Sequence, residues 1–321
     1  MAVTITQQIT NALPMAEYAK TMEMGESRTF VMNMIQTSDL FAAIPVKPAV
    51  NGKAAFMDIA QLPTVGFRGI NQAGNTNTGR FNLREEDTYF IDEYVFADRA
   101  LNDRLGGEHR IKQEKLKSIA LGQMASQMIV NGDRTSSPTQ PNGLKVRCAT
   151  LNTNYFNNSA ASGGGVLSLA NLDILSWAVN QQTHWLFPRD LMPYMDAAAR
   201  NNTIVNQAVD YTQDDFGRRI MKYKGYPILF GYEPDDTTDL LPFTEVGSGG
   251  GAAQCASIYA LSLKEDHLYL IEQTPLLVED EGKVVGQPFL STHIKWDWGI
   301  AREHPRAVAR LDSIKVGAIV A

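Results

Sequence analysis

Two stretches between residues 50 and 96 have the pattern of β-strands. KAAFMDIA and TYFIDEYVF are rich in apolar and aromatic residues, and the segment between them, LPTVGFRGINQAGNTNTGRFN, is dense in glycine, asparagine and threonine. This order predicts a long β-hairpin with a polar tip. Its arms, of about 15 residues each, would project on the order of 50 Å. Because an isolated two-stranded ribbon is only marginally stable in water, the hairpin needs a neighbour to lie on.

Residues 107–131 carry a helical pattern that runs almost without a breaker. Asn102 or Asp103 is the predicted cap, Gly132 is the predicted stop signal, and Gly122 is the one weak position inside the pattern. The pattern predicts a single helix of about 37 Å. Apolar side chains recur on one side of it at Leu116, Ile119, Ala120, Met124 and Met128.

The rest of the chain divides into parts of different character. Residues 1–49 have scattered apolar anchors and no core of their own, which predicts an arm. Residues 168–286 mix helical stretches, such as LANLDILSWAVNQ and RDLMPYMDAAARN, with the strand-like stretches HWLF, YPILFGY, SIYALSL and HLYLIE. That mixture predicts a compact α/β unit. Residues 287–321 alternate at period two, which predicts a long strand.

Composition narrows the class of protein. The 321 residues are 44% hydrophobic and 20% charged, as in ordinary globular proteins, and this length favours two or more packed units. The formal charge of −6 opposes direct binding to a phosphate backbone. The opening MAVTITQQIT lacks the features of a signal peptide and the chain has no long apolar run, so we expect a cytosolic protein that does not cross a membrane.

The sequence gives little indication of a metal site or a catalytic nucleophile. Cys148 and Cys255 lie far apart and have no neighbouring histidine, so neither a disulfide framework nor a thiol nucleophile is expected. The five histidines have no spacing typical of metal ligands, so surface or packing roles are favoured for them. They are His109, His184, His267, His293 and His304.

Two further motifs are superficially suggestive. Gly247, Gly249 and Ala252 match a relaxed dinucleotide fingerprint, with Glu272 about twenty residues further on. The context fails, because a phosphate site needs the start of a helix after the glycines and SIYALSL has strand character, so we expect a mobile loop. An acidic run, residues 85–87, adjoins an exposed hairpin strand where nothing would shift its pKa values for acid/base work.

In its order of elements, the chain resembles the major capsid proteins of tailed bacteriophages, whose Hong Kong 97-like fold is also used by encapsulins. More specific similarities are LPTVGFRG at the hairpin tip, ASQMIVNGD followed by PNGLKVR, and WDWGIAREHPRAVARLDSI near the end. The resemblance implies an α+β fold made of an N-terminal arm (1–49), an extended loop (50–96), a peripheral domain (97–167) with a spine helix (107–131), an axial domain (168–286) and a C-terminal strand that returns to the peripheral domain (287–321).

The resemblance also implies a structural function without catalysis, cofactor or metal. Copies would assemble through pentamers and hexamers into an icosahedral virion shell that encloses double-stranded DNA without reading its sequence. The implied partners are the chain itself, a portal protein and a decoration protein. A separate scaffolding protein is also expected, because the fifty residues before the hairpin leave no room for a fused one. The resemblance further implies that the shell assembles in the host cytoplasm and that a precursor shell expands.

The hairpin supplies the candidate assembly residues, and its acidic and basic side chains are expected to meet their opposites on neighbouring copies. A covalent cross-link is not expected, because Lys53 lies near the hairpin base and the tip has no lysine. Two alternatives remain open: an encapsulin-like compartment and, less favoured, an oligomeric hydrolase. The candidate interface residues are Phe67, Arg68, Arg80, Phe81, Arg84, Glu85, Glu86 and Asp87.

Overall fold

The structure is a computed structural model that describes most of the chain. The described residues are 13–22, 25–105, 107–149, 153–200, 209–213, 219–231 and 239–320. The first twelve residues of the predicted arm lie outside them. The described strands form a five-stranded sheet, a nine-stranded sheet and a separate two-stranded hairpin.

The N-terminal segment packs into the core of its own chain, which differs from the predicted arm. Phe30, Val31 and Met34 are spaced so that one face of a helix carries all three, and that face is buried against the long helix of the chain. Its elements are β1 (Leu13–Pro14), α1 (Met15–Thr21), α2 (Glu26–Thr37), α3 (Asp39–Ala43) and β2 (Pro45–Pro48).

The hairpin is confirmed, but its second strand is not the predicted one. β3 (Lys53–Gln61) pairs antiparallel with β4 (Arg80–Asp87), and residues 62–79 at the tip contain no strand. TYFIDEYVF instead forms β5 (Tyr89–Asp98), which pairs with a C-terminal strand at the edge of the five-stranded sheet. The prediction chose TYFIDEYVF because it is the more apolar stretch. In the structure TYFIDEYVF has one buried face and belongs to the sheet, whereas RFNLREED is largely exposed and forms the hairpin strand.

The predicted long helix is confirmed as α5 (Glu108–Asn131), which follows the short helix α4 (Arg99–Arg104). The cap is corrected: Asp98 caps α4, and α5 begins after Gly107 in the left-handed region. Gly122 is buried, and a Cβ there would lie 3.2 Å from the Met34 carbonyl oxygen, so glycine lets α2 and α5 approach closely. The short helix α6 (Leu144–Arg147) then leads towards the second sheet.

Two helices pack against the nine-stranded sheet. A 3-10 turn (Arg189–Leu191) precedes the second helix. The elements in chain order are β6 (Tyr155–Asn157), β7 (Gly165–Ser168), α7 (Leu169–Ala178), β8 (His184–Leu186), α8 (Met192–Arg200), β9 (Val209–Gln213), β10 (Arg219–Tyr223), β11 (Tyr226–Leu229), β12 (Glu245–Val246) and β13 (Ala253–Leu261).

The last three strands divide between the sheets differently from the prediction. β14 (Leu268–Lys283) leaves the α/β unit and pairs with β2 and with β15 (Phe289–Arg302) in the five-stranded sheet. β16 (Val308–Val320) then returns to the nine-stranded sheet, where it pairs with β13. The predicted single C-terminal strand is therefore two strands in two sheets, because the turn at residues 303–307 interrupts the alternating pattern.

Candidate assembly interface

The base of the hairpin is held by ion pairs inside its own chain. Arg147, whose side chain is buried, forms a bidentate pair with Glu86, with Nη2 and Oε2 3.0 Å apart. The same guanidinium donates to the Ile300 carbonyl at 2.9 Å. This planar double contact joins β4 to α6 and β15 and fixes the angle at which the hairpin leaves the body.

The other two acids of the run are also paired within the chain. Glu85 accepts from the Lys53 ammonium across the hairpin at 2.7 Å, and Asp87 accepts from the Arg134 guanidinium at 2.9 Å. The sequence predicts that these acids meet cations on a neighbouring copy. Within one chain, each of them already has a cation: Lys53 of β3 for Glu85, and Arg147 and Arg134 of the segment after α5 for Glu86 and Asp87.

One face of the hairpin packs on the body only near its base. Phe56 is buried in a small cluster with Tyr269, Ile271 and Ala301. Next to this cluster, a Cβ on Gly299 would lie 2.5 Å from the Asp87 carbonyl oxygen, so glycine lets β15 approach the hairpin base.

The opposite face of the hairpin exposes a row of apolar side chains. In the register of the two strands, Met57 lies opposite Leu83 and Ile59 lies opposite Phe81. These four residues, here called the hairpin stripe, are each between 59% and 73% exposed. Further exposed apolar residues continue beyond them into the tip: Leu62, Val65, Phe67 and Ile70. Large exposed apolar patches of this kind are uncommon on monomeric proteins.

The outer part of the hairpin is basic. Residues 59–84 contain Arg68, Arg80 and Arg84 and no acidic residue. The Arg68 Nη1 donates to the Gln72 carbonyl at 3.2 Å, which helps to shape the tip. All five predicted interface residues of the outer hairpin, the three arginines with Phe67 and Phe81, are exposed. The structure thus separates the exposed outer residues from Glu85, Glu86 and Asp87 at the paired base.

A second exposed surface lies on β5 at the edge of the five-stranded sheet. Phe90, Tyr94 and Phe96 share one face of the strand and are 81%, 44% and 56% exposed. Between this edge and α5 is an open cleft of about 340 Å³, lined in part by Leu116. The strand carries three acidic residues and no basic one, and one of these acids, Glu93, pairs with Lys117 of α5 at 2.7 Å.

A buried carboxyl that the sequence pattern does not reveal joins the N-terminal segment to the sheet. Glu272 on β14 is almost fully buried, and its Oε1 accepts from the Trp296 indole at 2.6 Å. The Tyr18 hydroxyl of α1 interacts with the same carboxyl. Burial raises the pKa of Glu272 to about 7 and also raises the pKa of Tyr18. In the sequence, Glu272 stands out only as part of a failed nucleotide motif.

The residues considered for chemistry do not form a catalytic or metal site within the described chain, although the rings of His267 and His304 are stacked. Cys148 and Cys255 are buried, and burial raises the pKa of Cys148 to about 12. The glycine-rich loop leads into strand β13, so no helix start is available for a phosphate, and the Gly250 carbonyl accepts from the Gly163 N–H at 2.8 Å. No cluster of metal-ligating side chains occurs within the described ranges. Among the described helices, none combines the length and hydropathy that a bilayer crossing requires.

No family model and no curated protein matches the sequence. Solved structures do match. The holo-SrpI encapsulin complex of Synechococcus elongatus aligns with a TM-score of 0.62 at 15% identity, over 100% of this chain and 99% of that chain. The capsid of a native GTA particle aligns with a TM-score of 0.53 at 12% identity, over 84% and 88% of the two chains.

A third match extends the comparison to a phage. The capsid asymmetric unit of cyanophage A-1(L) aligns with a TM-score of 0.52 at 12% identity, over 84% of this chain and 90% of that chain. These likenesses span most or all of the chain. The chain therefore has the α+β Hong Kong 97-like capsid fold that phage capsids and encapsulin shells share.

Proposed function

We propose that this chain is the repeating subunit of a closed protein shell, in which the hairpin of one copy lies on the next copy. The observation that carries the proposal is the hairpin stripe, an apolar row that is exposed in the single chain. The fold supports it, because capsids and an encapsulin are built from chains of this architecture. In this proposal the chain has a structural role and no catalytic one.

The energetics favour many modest contacts over one strong one. Covering each side chain of the stripe would contribute on the order of 1 to 2 kcal/mol. Association also costs several kcal/mol in lost rigid-body freedom and side-chain ordering. A single hairpin contact is therefore weak and reversible, and closure of a ring of such contacts makes the assembly stable.

The edge surface on β5 is our candidate receptor for the hairpin. It offers exposed aromatic rings and acidic residues, whereas the outer hairpin offers exposed apolar residues and arginines. A contact between two different surfaces of identical copies is heterologous and generates a ring when the rotation closes. We assign these rings as the pentamers and hexamers of an icosahedral shell.

A phage capsid that encloses double-stranded DNA is the favoured form of this shell. The net charge of −6 suits a wall along which packaged DNA slides without sticking. In this form the chain would be a virion component assembled in the host cytoplasm. Its partners would be a portal protein, a separate scaffolding protein and a decoration protein, and a precursor shell would expand on maturation.

An encapsulin-like compartment is the second candidate, favoured by one observation. The encapsulin superposition extends over 100% of this chain and 99% of that chain, more than the GTA or the cyanophage capsid superposition. The two forms differ in content. Particles purified from the native source that contain DNA support the capsid, and particles that contain one cargo protein support the compartment.

The proposed arrangement of parts follows the two sheets. We assign the five-stranded sheet, with α5 as its spine helix, to the peripheral domain and the nine-stranded sheet to the axial domain. Strand β14, predicted within the axial part, then belongs to the peripheral one, and β16 belongs to the axial one. The hairpin extends from the peripheral part as the extended loop.

Substitutions on the two faces of β4 test the hairpin contact. Phe81→Asp and Leu83→Asp place a charge in the stripe and are expected to reduce shell yield at least tenfold, because burying an unpaired carboxylate is costly. Asn82→Lys is the control, since it adds one charge between them on the other face, where it lies opposite Asp58. Equal yields from all three variants in sedimentation would contradict the proposal.

A photo-crosslinker at Phe81 tests the receptor. In shells grown from mixed light and heavy-isotope subunits, we expect cross-links between copies that end within 89–98 or 111–120. Shells whose cross-links end elsewhere would refute β5 as the receptor and leave the shell function intact. Failure of the unsubstituted chain to form shells at all would refute the function itself.

A further inference from the structure

The two sheets are joined by two neighbouring segments of chain. Residues 262–267 connect β13 to β14, and residues 303–307 connect β15 back to β16. The segments run side by side, with the Glu303 N–H donating to the His267 carbonyl and the Ser262 N–H donating to the Ala307 carbonyl, both at 2.9 Å. A change in this junction would therefore act at the boundary between the two sheets.

One histidine from each segment meets its counterpart at this junction. The rings of His267 and His304 are stacked, with centroids 5.0 Å apart and planes 22° apart. His267 is buried, and within the described chain neither of its ring nitrogens has a hydrogen-bond partner. The Nδ1 of His304 accepts from the Arg306 N–H at 3.0 Å, a bond that shapes the 303–307 turn.

These contacts suit neutral rings and oppose charged ones. A proton on His267 would be a buried charge without an acceptor, which is costly. A proton on His304 Nδ1 would remove the acceptor of the Arg306 N–H. Two imidazolium rings at this separation would also repel each other.

The surrounding charges relieve that repulsion only in part. Lys264 lies on the same segment and adds a positive charge. Asp266 and Glu303 lie nearby, but Lys47 contacts both carboxylates, at 3.7 and 3.8 Å. Glu303 also accepts from the Tyr269 hydroxyl at 3.2 Å, so it is already engaged. The Arg306 guanidinium donates away from the rings, to the carbonyls of residues 177 and 178.

We propose that the stacked pair His267 and His304 is an acid-sensitive joint between the two sheets, closed when both rings are neutral and loosened when they are protonated. The inference rests on the junction geometry and does not depend on the proposed shell function. In a shell, the same joint would let acid change the angle between the two parts of every subunit.

The pH direction follows from the burial of His267. Burial is the first cause that lowers its pKa, followed by His304 and Lys264, while Asp266 acts in the opposite direction. A lowered folded-state pKa means that the unfolded or opened state binds the proton more readily. The joint is therefore intact above the ordinary histidine pKa of about 6.5 and weakens as the pH falls below it.

Hydrogen exchange of the full-length protein at pH 7.5 and pH 5.0 tests the proposal, after correction for the intrinsic pH dependence of amide exchange. In the native chain, we expect protection of peptides 262–268 and 303–308 to fall on the order of tenfold at the lower pH. In the double variant His267→Phe and His304→Phe, which keeps two stacked rings but cannot be protonated, the change should stay below twofold.

His109→Phe is the control, because it removes a histidine of α5 outside the junction and should respond as the native chain does. If the double phenylalanine variant fails to fold, His304→Gln alone should give a reduced acid response. An unchanged acid response in the folded variants, or no acid response in the native protein, would overturn the proposal.

Discussion

Glu272→Gln should stabilise the subunit above neutral pH and have little effect in acid. The carboxyl is buried between α1 and β14, no basic side chain of the described residues pairs with it, and its pKa is raised from 4.5 to about 7. The unfolded chain therefore releases this proton near pH 4.5, whereas the folded chain retains it until about pH 7. Stability contributed by the protonated form is complete below pH 4.5 and is lost as the pH rises through 7.

The size of the effect follows from the shift. Each unit of pKa difference corresponds to about 1.4 kcal/mol, so ionised Glu272 reduces the free energy of unfolding by about 3 kcal/mol at pH 8. Glutamine removes the ionisation and keeps an oxygen that can accept the bond from the Trp296 indole. We therefore expect the variant to be more stable by up to about 3 kcal/mol at pH 8 and nearly equal at pH 4.

Urea unfolding from pH 4 to pH 8.5 measures this difference, with tryptophan fluorescence as the signal because Trp296 lies beside the carboxyl. The Phe81→Asp background is expected to keep subunits unassembled. Glu279→Gln on the same strand is the control, since its half-exposed pair with Lys295 is worth at most about 1 kcal/mol. A difference that does not change with pH, or a Glu272→Gln variant that is less stable at pH 8, would refute the reasoning.

Three further predictions concern packing and reactivity. Arg147→Met should lower the free energy of unfolding by about 3 kcal/mol, measured in urea, because it leaves Glu86 part-buried without its bidentate partner; an unchanged value would show that the pair does not anchor the hairpin. Gly122→Ala should destabilise by about 1 to 3 kcal/mol despite the better helix propensity of alanine, because its Cβ would press on the Met34 backbone; a higher thermal midpoint would contradict the close contact. Cys148 should resist a thiol reagent at pH 8 until the chain unfolds, because its thiol is buried with a raised pKa; rapid labelling of the folded protein would contradict its burial.

Several helices and strands can be predicted from the spacing of apolar residues within each element. The long helix is predicted over 107–131 and is found at Glu108–Asn131, because its apolar spacing and the glycine after it act within the helix itself. The helices α7 and α8 and the strands β8, β11 and β13 are likewise indicated by short-range periodicity. The architecture and the presence of a hairpin follow from the order of these elements.

Pairing between distant strands cannot be predicted in this way. The partner of β3 is set by a register of alternating side chains over 53–61 and 80–87, whereas a more apolar neighbouring stretch gives the stronger local signal. HLYLIE has strand character in either sheet, so its pairing with β2 and β15 is decided by tertiary contacts. The ion pairs of Glu86 and Asp87 and the burial of Glu272 also depend on residues far along the chain.

Electron microscopy of the purified full-length protein tests the central claim most directly. The account predicts closed, round particles of uniform diameter for the native chain, and their loss in Phe81→Asp under the same conditions. A native protein that remains a folded monomer or a small uniform oligomer at high concentration, with its hairpin resistant to proteases, would contradict the claim that this chain builds a shell.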